Sequence, residues 1–215
     1  MNRYISVFLF LIHAFILPFT HILSATASTT QEFLIIYSGN LLAELKPCGC
    51  AKEEDQGGIE RRMQYLQDIR KVNPNILLVD TGDHFKEPTR QGKLKAETLL
   101  KATEKMEYDA VALGERDLVY GSQFLKKYSI PFISSNIDLE DFTLEKSRVK
   151  KLKNGIKIAV LSVVDPSLFY LKNHAGLKIP HPNQILSQEI SRIRNSNSID
   201  FLVLLTHMEK KESLK

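Results

Sequence analysis

Cysteine is almost missing: Cys48 and Cys50 are the only two in 215 residues. A chain so poor in thiols is not a disulfide scaffold. No Cys-x-x-Cys-His occurs, which excludes covalent c-type haem. Basic tracts are missing too. The formal net charge is only +4 and no run of Lys and Arg stands out, so nucleic acid is not the partner that the charge points to. Histidine is scarce: beyond residue 27 there are only His84, His174, His181 and His207.

What is present begins with a leader. Arg3 precedes an almost wholly apolar run, Ile5 to Leu23, and Ser24-Ala25-Thr26-Ala27-Ser28 offers an A-x-A site. This predicts a secretory signal peptide over residues 1–27, cut after Ala27. The alternative is an uncleaved anchor, the only membrane contact expected, because the run is near the minimum for a span. Pro18 and the small residues favour cleavage. The remainder, residues 28–215, is then expected in the periplasm or outside the cell. It is long enough for one domain with a sizeable core.

That domain is organised around residues 76–85, ILLVDTGDHF. Ile76 to Val79 suit a strand buried on both faces. Gly82, between two carboxylates, lets the chain turn so that Asp83 is presented at the carboxyl edge of a sheet. A carboxylate there either binds a cation or caps the next segment. Phe33 to Tyr37 reads as a second buried strand. Ile59 to Val72 and Leu94 to Met106 read as amphipathic helices, and Pro74 stops the first. Further strands are expected at 109–114, 131–136, 156–164 and 200–205, and helices at 121–128 and 185–193. The charged stretch 140–154 reads as surface, with no element assigned to it. Strands alternating with helices make an α/β layered domain. Polar residues recur just after the strands: Asn40, Asp83, Glu115 to Asp117, Asn136, Asp165 and His207. Six on one edge suggest one cleft.

The blocks IIYSGNLLAELKP, GGIERRMQYLQDIR, LLVDTGDHF, YDAVALGERDLVYG, PFISSNI, NGIKIAVLSVVDP and FLVLLTHM follow one another in a familiar order. From about Phe33 to Met208 the chain resembles the metallophosphoesterase domain of the exported 5′-nucleotidase family, within the calcineurin-like phosphoesterases. The resemblance implies a layered αββα sandwich, incomplete at its C-terminus, and hydrolysis of phosphate esters or nucleotides by two metals. It matches Asp83 to the bridging Asp and His207 to a metal-binding His. It also exposes departures. Asn40 and Leu42 stand where the family has Asp and His, and Glu115 and Arg116 where it has Asn and the catalytic His. Leu42 has no lone pair, and Arg116 is a permanent cation. The expected metal set is therefore Asp83, His207, Asn40 and Glu115, with at most one site, for Mn, Fe or Zn. Arg116 and Asp117 are the catalytic candidates and Asn136 the substrate-binding one. Arg116 either binds an anion or pairs with Asp83 or Asp117.

Cys48 and Cys50, two apart, could form a labile disulfide, ligate metal, or stay reduced without function. His174 and His181 fall in a Pro-rich loop. Three functions stay open: a phosphoesterase acting on a small anionic substrate, alone or completed by a partner chain; a non-catalytic ligand-binding or scaffold domain; and a redox or metal-handling protein built on the two cysteines.

Overall fold

Four strands, β1 (Leu34–Ser38), β2 (Ile76–Asp80), β3 (Ala110–Ala112) and β4 (Phe132–Ile133), form an all-parallel sheet in sequence order. A second sheet holds β5 (Ser147–Lys151), β6 (Lys157–Val164) and β7 (Phe201–His207), with β6 antiparallel to β5 and parallel to β7. The computed structural model describes residues 32–48, 56–169, 176–196 and 198–213. The expected signal peptide, Cys50 and His174 lie outside the described residues.

Strand alternation builds the layers. On β2, Ile76 and Leu78 join a core with Leu66, Ala96, Leu100 and Met106. These four come from helices α1 (Ile59–Val72) and α2 (Arg90–Met106). Leu77 and Val79 point the other way and pack with Ile158 and Val160 of β6 and Leu205 of β7. The next face of β6, Ala159 and Leu161, meets Ile193 of helix α4 (Pro182–Ser196). The two sheets thus share a dry seam with helix outside each, the αββα order. A short helix α3 (Ser122–Leu125) and a last one, α5 (Lys210–Ser213), complete the described elements. Among the described residues, no helix is long and apolar enough to cross a membrane.

Three sequence expectations change. β1 is not buried: it is the edge of its sheet, its exposure alternates, and Ile35 and Tyr37 face outward. The charged stretch at 140–154 contains β5, which its own SRVKK pattern does not announce. Pairing with β6 makes it a strand, and Lys150 finds Asp109 at 2.6 Å. Helix α2 starts four residues earlier than expected because the Thr89 side chain accepts from the Gly92 N–H and caps it.

The connections that matter run across the carboxyl ends of the strands. After β1 the chain follows the loop after β2 backbone to backbone. Asn40 N–H donates to Gly82 O, Leu42 N–H to Asp83 O and Ala43 N–H to His84 O, at 2.8, 3.1 and 2.6 Å. Asn40, Leu42, Ala43 and Asp83 all have positive φ, between 45° and 60°. Such conformations cost non-glycine residues about 1–3 kcal/mol each and persist only where the surroundings enforce them.

Candidate functional site

Two glycines bring the β2 and β3 loops together. Gly82 has φ 94°, and a Cβ there would sit 2.5 Å from Gly114 N. A Cβ on Gly114 would sit 2.2 Å from Asp83 Oδ1 and 2.8 Å from His207 Cε1. No other residue type fits either place without displacing its neighbours.

Beneath this contact lies a sealed polar cluster. Asp117, in the 3-10 turn Glu115–Leu118, is fully buried. Its carboxylate accepts from three backbone N–H groups, Asp83, His84 and Gly114, at 2.8, 2.8 and 2.7 Å. It also meets His84 Nδ1 at 2.9 Å. His84 is equally buried, and its Nε2 stands 3.3 Å from Asp80 Oδ1 without hydrogen-bond alignment. Asp80 in turn accepts from Ser38 Oγ, which contacts Tyr108 Oη at 2.8 Å. Burial alone would pull the imidazole pKa down. The charges of Asp117 and Asp80 more than reverse this and raise it to about 9. Burial works against ionising Asp117 too, but the imidazolium and the backbone donors hold its carboxyl below the usual range. His84 is therefore an imidazolium clamped between two carboxylates.

Above the contact lies an open cluster. Asp83 from the β2 loop, Glu115 from the β3 loop and His207 from the end of β7 each offer a ligand atom, all within 4.8 Å of one another. His207 Nε2 is 2.6 Å from Glu115 Oε2 and 3.7 Å from Asp83 Oδ1. Burial raises the Asp83 carboxyl to about 6, although the Arg116 N–H donates to it. The Arg116 side chain lies alongside, with Nε 3.7 Å from both Asp83 Oδ2 and Glu115 Oε1.

The sequence candidates therefore separate. Asp83, Glu115, His207 and Arg116 come together. Asn40 lies beside them through its backbone, with an exposed side chain. Asp117, expected to be catalytic, is beneath the site, its oxygens committed to the loops. Asn136, expected to bind substrate, is buried and spends its amide on backbone: its Nδ2 donates to Val164 O and Pro180 O, both at 2.9 Å, and its Oδ1 accepts from Val164 N–H. Asp165 caps a turn through Ser167 N–H. His181 accepts from Asn183 N–H at the start of α4. Arg116 pairs with Asp83 and Glu115, not with Asp117. Cys48 is exposed and bridged to Gln56 by backbone. Sequence reasoning missed the roles of His84 and Asp80, whose signal was an acid and a histidine four apart, flanking the Thr81–Asp83 turn at the end of an apolar strand.

No protein-family model matches the chain. A snake venom 5′-nucleotidase from Naja atra is 28% identical over 116 residues, 49% of this chain and 22% of the relative. A 5′-nucleotidase from Diplobatis ommata is 26% identical over 168 residues, 70% of this chain and 28% of the relative. The solved structure of a 5′-nucleotidase precursor from Thermus thermophilus superposes with a TM-score of 0.74 at 19% identity, covering 84% of this chain and 38% of that one. The chain resembles the N-terminal part of 5′-nucleotidases in sequence and shares the fold of a 5′-nucleotidase structure. It spans about a fifth of the length of the curated relatives it matches first.

The resemblance to 5′-nucleotidases raises the question of a metal, and the residues present answer it. A hard or borderline cation takes carboxylate oxygen and imidazole nitrogen, and here two carboxylates and one imidazole converge from three strand ends. Asp83 is a buried carboxyl short of counter-charge, which a cation would supply. The donor set Asp83, Glu115 and His207 fits one divalent ion. For a second, Leu42 has no ligand atom to offer and Arg116 brings a fixed positive charge.

Proposed function

We propose that the chain is an exported phosphoesterase-type domain that binds one divalent cation through Asp83, Glu115 and His207 and acts on a phosphate ester. The observation that carries this is the convergence of those three side chains at one edge of a 5′-nucleotidase-type fold. A cation there would supply Lewis-acid polarisation of a phosphoryl oxygen. Around it, the chain's own groups do the positioning. The His84–Asp117 clamp fixes the Asp83 loop, β6 and β7 fix His207, and the glycine contact fixes the distance between them. Export is supported by the leader pattern ahead of residue 28 and by a venom protein among the relatives. Mn, Fe and Zn all suit the mixed oxygen and nitrogen donors.

The test is elemental mass spectrometry of the purified chain beside Asp83→Ala, with phosphate release from a nucleoside monophosphate measured on both. The expected result is about one metal per chain and metal-dependent turnover, both lost in the variant. One metal without turnover would turn the reading to a ligand-binding domain on the same fold. No metal in the wild type would end it.

A further inference from the structure

The two carboxylates of the open cluster are shared, one oxygen each way. Asp83 Oδ1 and Glu115 Oε2 face His207, at 3.7 and 2.6 Å. Asp83 Oδ2 and Glu115 Oε1 face Arg116 Nε, at 3.7 Å each. That is how carboxylates bridge two cations, except that the second cation is a guanidinium. At 3.7 Å, Nε is beyond hydrogen-bond reach of either carboxylate, so the pairing does not use up the fork. Nη1 is anchored on Lys86 O at 3.1 Å, which fixes the head from behind, and the side chain is 43% exposed.

Charge then selects the ligand. Two carboxylates match the charge of a divalent cation, and Arg116 adds a positive charge beside it. We infer that Arg116 takes the place of a second metal, and that cation and guanidinium together grip the phosphate group. This rests on the one-metal reading above and adds the residue that holds the phosphate. A planar fork suits two phosphate oxygens, which an ammonium would not match.

The test is calorimetric titration of the Mn²⁺-loaded full chain with orthophosphate, at a pH where orthophosphate is a dianion. Metal content is measured on the same samples. Orthophosphate is expected to bind. Arg116→Gln is expected to keep one metal but lose roughly tenfold or more in orthophosphate affinity, the usual weight of a charged hydrogen bond. Arg116→Lys should fall between the two. Equal orthophosphate binding by Arg116→Gln and wild type, with the metal retained, would overturn the inference and leave the one-metal reading standing. Absence of metal from the wild type would overturn the reading beneath it, and the inference with it.

Discussion

Two clusters of charge sit within a few residues of each other at the end of β2, and they behave oppositely. Asp80, His84 and Asp117 are sealed. Asp117 takes three backbone donors and the imidazole, so its oxygens are fully engaged inside the protein. Asp83, Glu115, His207 and Arg116 are partly open, and their distances leave room for something more. The first cluster is architecture and the second is chemistry. The difference is one of saturation: a polar group whose partners all lie within the fold holds the fold, and one whose partners are incomplete is available to a ligand.

That contrast can be broken most forcefully at His84. His84→Gln removes the counter-charge of two buried carboxylates and should destabilise the fold by about 3–5 kcal/mol, read from urea unfolding. A loss under about 1 kcal/mol would mean that the cluster is not a charge clamp. Its pH dependence has a defined sign. The folded pKa, about 9, lies above the ordinary histidine value of 6.5. The stabilisation is therefore complete below 6.5 and lost as pH rises through about 9, a step the variant should lack.

Gly114→Ala tests the frame between the clusters. Its methyl meets Asp83 Oδ1 and His207 Cε1, so it should cost about 1–3 kcal/mol by overpacking and abolish metal uptake. Glu115→Gln tests the open cluster alone. Metal affinity should fall at least roughly tenfold, with unfolding free energy changed by under about 1 kcal/mol. Because burial raises Asp83 to about 6, wild-type metal affinity should hold above that pH and weaken as pH falls below it, when the proton competes for the carboxylate. The smallest effect belongs far from both clusters. Arg148→Ala removes an exposed pair with Glu145 on β5 and should shift stability by under about 1 kcal/mol.

Much of this was legible in the sequence, and the reason it was is specific. Ile76 to Val79 read as buried because all four residues are apolar, and each face does meet a core. Helix α1 was bounded by Gly58 and Pro74, so its limits came out as expected. β5 was not legible, since a strand held by a neighbour's ladder needs no apolar pattern of its own. At the site, residue order placed Asp83, Glu115 and His207 near one sheet edge, and they do converge. The same reasoning gave Asp117 and Asn136 functional roles because both follow strands. Whether a polar side chain turns down into backbone donors or up toward solvent depends on loop conformation. The left-handed turns at Asn40, Leu42, Ala43 and Asp83 cannot be read from residue type, since none of those residues is glycine.

The backbone contact between Gly82 and Gly114 has a consequence for how such a site can change. The loops meet glycine against glycine and are tied from below by the buried Asp117 carboxylate, so their spacing does not depend on the side chains at the mouth of the site. Positions 40, 42, 115 and 116 can then be rewritten while the socket stays the same shape. A randomised library at those four positions, built on this chain, should consist mostly of folded members that differ in what they hold. The same library with either glycine replaced should not. Such a scaffold can exchange one cation chemistry for another without first having to be redesigned.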